Sequence, residues 1–182
     1  PKLQFVVAII VGCIPAGIIG LLFKDELESA FGSARLVCAA LIGTGFILLL
    51  TRFFSGGQKT VSVSTGLLIG FAQAVAIIPG VSRSGSTIAV ALFLGLERDH
   101  AARYSFLLSL PVIAGASGLK ALELVGQSLP AESWLSLGLG AVVAFIAGIM
   151  ALRMLMLVVR RGAFSHFGWY CTAVGVIGLN IL

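Results

Sequence analysis

The chain is written as a series of apolar runs, each about as long as the hydrocarbon layer of a bilayer is thick. Residues 3–23 contain no charged side chain, and a helix of about 20 mostly apolar residues crosses that layer. Residues 36–54, 103–122 and 134–159 read the same way, and 167–182 forms a shorter fifth run reaching the end of the chain. Pro15 and Gly17 predict a kink in the first run, and Pro111 lies in the third. Backbone groups in lipid must be satisfied within the segment, so runs of this length are read as helices. Composition agrees, with 59% of the 182 residues hydrophobic and 10% charged, against about 25% charged in soluble domains. The predicted class is an all-α membrane protein: about five transmembrane helices forming a single membrane domain over residues 1–182.

The net charge of +5 comes from basic residues scattered singly at the ends of apolar runs. That pattern sets membrane orientation and gives no footprint for nucleic acid. Cys13, Cys38 and Cys171 sit apart inside apolar runs. They read as small buried hydrophobes, with neither disulfide nor metal-ligand spacing. The sequence opens on Pro1 and passes almost directly into an apolar run. No signal peptide is recognisable there, and an amino-terminal truncation is expected.

One stretch breaks the rhythm. After the charged connector 24–35 (read as a short interfacial helix) and the polar loop 55–64, residues 65–78 are apolar for only 14 positions before Pro79-Gly80 stops them. A polar run, Ser82-Arg83-Ser84-Gly85-Ser86, follows, and apolar character returns over 87–96. Neither piece is long enough to cross alone. Two half-helices around a Gly-containing tip predict a re-entrant hairpin over about 65–96. If the chain enters and leaves that hairpin on one side, that face collects Lys2, Arg52, Lys59, Arg98, Arg103, Arg160 and Arg161. The opposite face keeps Lys24, Arg35 and Lys120 with Asp25, Glu26, Glu28, Glu123 and Glu132. This bias makes the first face cytoplasmic, and a full crossing at 65–96 would erase it.

Arg83 is the residue that points to chemistry. An arginine near the bilayer centre costs about 2.5 to 17 kcal/mol, so it needs compensation. Around it stand Ser82, Ser84, Ser86 and Thr87, while Gly80 and Gly85 permit tight turns. A helix resuming at about 85–87 would aim its positive dipole end at the same point. Guanidinium, hydroxyls, amides and helix end all favour an oxyanion, and phosphate suits bidentate Arg best. Two plainer readings stay open: Arg83 snorkelling or neutralising a carboxylate, and the hydroxyls merely capping helix ends. A nucleotide P-loop is rejected despite the Gly80–Gly85 spacing, because Ser86 stands where the Lys belongs.

The run 70–87, GFAQAVAIIPGVSRSGST, resembles the hallmark of the undecaprenyl-diphosphate phosphatase family. These are bacterial enzymes of the bacitracin-resistance type that recycle the lipid carrier of cell-wall synthesis. RYSFLLSLP at 103–111 is similar to that family's S-F-L-L-x-x-P stretch. The resemblance implies a lipid diphosphatase of the bacterial inner membrane acting on a polyprenyl diphosphate. It also implies an interdigitated inverted repeat whose two re-entrant hairpins meet near the midplane, with a pocket opening to the extracytoplasmic side. Carried over to this sequence, Arg83 binds pyrophosphate, Ser82 and Ser84 line the site, and Gly85, Thr87 and Gln73 assist. Ser82 or Ser84 would need a base to act as a nucleophile.

The likeness covers the carboxy-terminal two-thirds of the family pattern. The family's amino-terminal glutamates and His, associated with catalysis and a divalent cation (Mg or Ca), have no counterpart here, so no metal ligands are expected in this chain. Asp25, Glu26, Glu28, Glu97, Asp99, Glu123 and Glu132 fall near expected membrane surfaces, and His100 and His166 sit in basic loops. The isolated chain is therefore expected to be short of a base. A transporter or flippase of a phosphorylated lipid is the rival reading, since broken helices with midplane ion sites also build transporters. Self-association is left open.

Overall fold

The computed structural model describes residues 2–54, 56–125 and 131–182, almost all of them helical. In chain order the helices are α1 (Lys2–Leu22), α2 (Lys24–Phe31), α3 (Ala34–Leu50), α4 (Val63–Val75), α5 (Arg83–Phe93), α6 (Arg98–Val125), α7 (Ala131–Arg160) and α8 (His166–Ile181). Short 3-10 turns at Thr51–Phe53 and Ala163–Ser165 follow α3 and precede α8. Among the described residues there is no strand. The side chains of Lys2, Glu28, Glu123 and Glu132, placed near membrane surfaces from the sequence, lie outside the described residues.

Among the described residues, four helices are long and apolar enough to cross a membrane: Leu3–Leu22, Ala34–Phe53, Arg98–Leu122 and Leu135–Arg160. Over the expected fifth run, α8 has 16 residues, about 24 Å at 1.5 Å per residue. That is short of the ~30 Å hydrocarbon core. The connector at 24–35 does form a helix, α2, with Asp25 and Glu26 in its first turn, where carboxylates suit the helix dipole. Pro15 and Pro111 both sit inside continuous helices.

Two seams of small residues hold the helices together. Along the first, α1 meets α4 so closely that a β-carbon on Gly12, Gly66 or Gly70 would run into the facing backbone. Tyr104 of α6 closes this seam: it is fully buried, donates its hydroxyl to the Ala8 carbonyl at 2.7 Å, and meets the Phe5 ring edge-on at 5.6 Å. The second seam joins α3 to α8 through Gly45, Gly168 and Gly175, each against backbone of the other helix. Without a hydrophobic drive between helices in lipid, close backbone approach and dispersion supply the association.

α4 and α5 form a hairpin whose two ends meet. Gly57 N–H donates to Leu96 O, Lys59 N–H to Gly95 O, and Glu97 N–H to Lys59 O, making an isolated parallel bridge between Lys59 and Leu96. The same end of the bundle carries the start of α6 and the end of α7. There Asp99 binds Arg103 at 2.6 Å and Arg160 at 2.6 Å. Entry to and exit from the hairpin thus lie side by side, and its tip points the other way.

Candidate functional site

The tip is built by capping chemistry. α4 starts on a capping box in which Ser62 and Thr65 satisfy each other's backbone, two residues before the start read from the sequence. It ends at Val75, and residues 76–81 turn the chain through hydrogen-bonded turns. Gly80 sits at φ +92°, a conformation that costs an L side chain but not glycine. A β-carbon there would also strike the Val37 carbonyl of α3.

α5 then begins at Arg83, not at 85–87 as the sequence suggested. The reason is Ser82, whose Oγ accepts from Gly85 N–H at 3.1 Å and makes Ser82 the N-cap. This revises two expectations. The Ser82 hydroxyl caps the helix, as the plainer reading allowed, and the Gly85 amide is spent on it. What the helix start still offers are the N–H groups of Arg83 and Ser84, which make no hydrogen bond among the described residues. Arg83 is half-buried, and none of the carboxylates paired among the described residues is paired with it. Ser84 is half-buried beside it. The first turn of α5 thus carries a cation, two free amides and the positive helix end, groups suited to phosphate oxygens.

Two hydroxyls from other helices lock this geometry, and both escaped the sequence reading. Thr44 of α3, 2% exposed, donates to Gly80 O at 3.3 Å and accepts from Ser82 N–H at 3.1 Å. Ser105 of α6, 3% exposed, lies 2.5 Å from Thr87 Oγ1. Thr87 gives its own proton to Arg83 O at 2.8 Å, so Ser105 is the donor in that pair. Thr87 therefore works behind the site, pinning the first turn of α5 to α6. A hydroxyl inside an apolar run was the only available signal for Thr44 and Ser105, and it says nothing about the partner.

Gln73 is 1% exposed, and neither amide atom has a partner among the described residues. Ser86 Oγ is buried and unpartnered in the same way. The histidines lie on helices and not in the loops expected: His100, half-buried in the first turn of α6, pairs with Glu97 at 2.8 Å, and His166, exposed at the start of α8, has Nδ1 3.0 Å from Ala163 O. Among the described residues no three His, Cys, Asp or Glu side chains cluster. Guanidinium and hydroxyls at the tip do not fit a divalent cation, which takes carboxylate and carbonyl oxygens.

The sequence matches the family profile described as bacitracin resistance protein BacA over residues 1–177. An undecaprenyl-diphosphatase of Salinibacter ruber is 44% identical over 176 residues, covering 97% of this chain and 65% of the relative. One from Halothermothrix orenii is 41% identical over 179 residues, covering 97% and 69%. A third, from Methanothermobacter thermautotrophicus, is 39% identical over 183 residues, covering 93% and 96%. The chain spans about two thirds of the length of the first two relatives and nearly all of the third. With its apolar helices and a match running almost from end to end, the chain is an integral membrane protein that belongs to the bacitracin resistance protein BacA family.

Proposed function

We propose that the protein is an undecaprenyl-diphosphate phosphatase and that the α4–α5 tip grips the pyrophosphate of the lipid. Hydrolysis adds water across the phosphoanhydride, giving undecaprenyl phosphate and inorganic phosphate. The observation that carries this reading is the half-buried Arg83 at the start of α5, whose own amide and that of Ser84 are unpaired among the described residues, in a chain whose relatives bear the name undecaprenyl-diphosphatase. Fixed donors aimed at a phosphoryl group stabilise the charge that builds during transfer. Ser84 adds a hydroxyl, Ser82 shapes the turn, and Thr87 holds Arg83 in register. Gln73 of α4, buried with its amide unpaired among the described residues, is assigned an assisting role. The divalent cation (Mg or Ca) that the resemblance implies finds no carboxylate at this tip, and its ligands belong elsewhere.

The hairpin is re-entrant in this reading. Its paired ends at Lys59 and Leu96 and its 13- and 11-residue helices, too short to cross singly, both support that placement. The basic end then faces the cytoplasm of a bacterial inner membrane, and the tip faces the extracytoplasmic half. Arg83→Ala should lower phosphate release from undecaprenyl diphosphate by roughly 10²–10³-fold, the cost of removing one preorganised donor, while the protein still inserts. Undiminished release in that variant, or lipid translocation by the unmodified protein without hydrolysis, refutes the reading.

A further inference from the structure

The end of the bundle opposite the tip carries two clefts that meet at Arg160. One, of about 450 Å³, is lined by Gly57, Glu97, Arg98, Asp99 and Arg160. The other, of about 350 Å³, runs along α7 and is lined by Leu152, Arg153, Met156, Leu157 and Arg160. Both volumes suit a ligand. Charged side chains dominate the first cleft and apolar ones the second.

Four arginines gather here with two carboxylates. Asp99 is shared by Arg103 and Arg160, each at 2.6 Å, and Glu97 is held by His100 at 2.8 Å. Arg98 and Arg153 make no hydrogen bond or ion pair among the described residues. The Arg98 guanidinium lies against Gly162, just past the end of α7. The negative end of that helix suits a cation, and this accounts for the place of Arg98. No such partner serves Arg153. It is exposed inside the apolar span Leu135–Arg160, seven residues before Arg160. Seven residues are about 10.5 Å of helix and nearly two whole turns, so the two arginines share one face of α7, one deeper than the other. An arginine at that depth needs compensation. Its Cα–Cβ bond tilts toward the start of α7, away from the surface that Arg160 marks, which makes snorkelling to water harder.

We infer that the two clefts form one site for an anionic phospholipid of the surrounding bilayer. Its phosphodiester is taken by the arginines, with Arg160 shared between the clefts, and the start of an acyl chain lies along Leu152, Met156 and Leu157. Basic pockets among membrane helices hold anionic headgroups in this way. The order from charged to apolar, read from the end of α7 into the span, is that of a lipid in the bilayer. A soluble phosphate has the same charge but nothing to set against the leucines, and it would have to enter the hydrocarbon layer to reach Arg153. The site lies at the other end of the bundle from Arg83 and does not depend on the phosphatase reading.

The test is native mass spectrometry of the detergent-solubilised protein, read as the Kd of the first bound dioleoylphosphatidylglycerol. Dioleoylphosphatidylcholine should bind more weakly, and glycerol 3-phosphate should not displace the anionic lipid. Arg153→Gln removes an exposed side chain with no hydrogen bond or ion pair among the described residues, so the fold should survive it. That variant and Arg98→Gln should each weaken phosphatidylglycerol about fivefold. Arg161→Gln takes the same charge from the same end but lines neither cleft, and should leave the Kd unchanged, as should Arg83→Ala at the tip. An unchanged Kd in Arg153→Gln overturns the inference, and so does equal binding of phosphatidylcholine. Equal weakening by Arg153→Gln and Arg161→Gln also overturns it, because diffuse surface charge would then be enough. Loss of binding in Arg83→Ala moves the lipid to the tip, and displacement by glycerol 3-phosphate assigns the clefts to a soluble phosphate; either result refutes the site. An effect of Arg153→Gln without one of Arg98→Gln overturns the joining of the two clefts.

Discussion

Replacing Thr44 with valine keeps the shape of a buried side chain and removes the hydroxyl that bridges α3 to the tip. Two hydrogen bonds go with it, to Gly80 O and from Ser82 N–H. A typical intramolecular hydrogen bond contributes about 1 kcal/mol net, and an abandoned buried donor costs about 1–3 kcal/mol. The Gly80 bond is long at 3.3 Å and the Ser82 amide is half-buried, so the loss should be about 2 kcal/mol. That is a factor of roughly 30 in the equilibrium between latched and unlatched tip. Amide hydrogen exchange reads this opening directly, because local unfolding is reported residue by residue. Exchange at Ser82 should quicken by about 30-fold in Thr44→Val, while amides in the α1–α4 seam keep their protection. Pyrophosphate affinity should fall in step, since Arg83 follows the latched residue. Thr44→Ser, which keeps the oxygen, should stay within a few-fold of the unmodified protein. Unchanged exchange at Ser82 in Thr44→Val would refute the latch.

Ser105→Ala removes the donor to Thr87 and should cost about 1 kcal/mol of stability, raising KM for the diphosphate more than it lowers kcat; thermal unfolding with steady-state kinetics checks both. Gly80→Ala forces an L residue to φ +92° against the Val37 carbonyl, and should destabilise by more than the ~1–2 kcal/mol of a left-handed residue alone, seen as a lower unfolding midpoint. In Tyr104→Phe a buried 2.7 Å hydrogen bond to Ala8 is lost, and about 1–2 kcal/mol should be missing in the same measurement. Asp99→Asn weakens two exposed ion pairs and should change stability by under about 1 kcal/mol, with the remaining effect vanishing in high salt.

The long spans were legible because the solvent dictates them: residues 3–23 have few alternatives to a membrane helix. The hairpin was legible for the opposite reason, as two apolar pieces too short to cross flank a polar tip. Its fine structure was not. Ser82, Ser84 and Ser86 are all competent caps, and only the tertiary position of the turn, fixed by Thr44 from 38 residues away, selects Ser82. The same blindness hid Ser105, which reads as one more small residue in RYSFLLSLP until α5 and α6 pack. Family resemblance named Arg83 and Thr87 alike, and could not show that Thr87 packs against Ser105 of α6.

The glycine seam between α3 and α8 also bears on how the protein is made. α3 ends at Leu50 and α8 begins at His166, so more than a hundred residues must be synthesised before the seam can close. At about 5–20 residues per second, α3 waits on the order of ten seconds with its small-residue face unmatched. Until α8 arrives, the nascent protein carries a surface ready to pair with any other helix that tolerates close approach. Quality control of this fold is thus a matter of timing as well as sequence, and loss of α8 would leave that window open permanently.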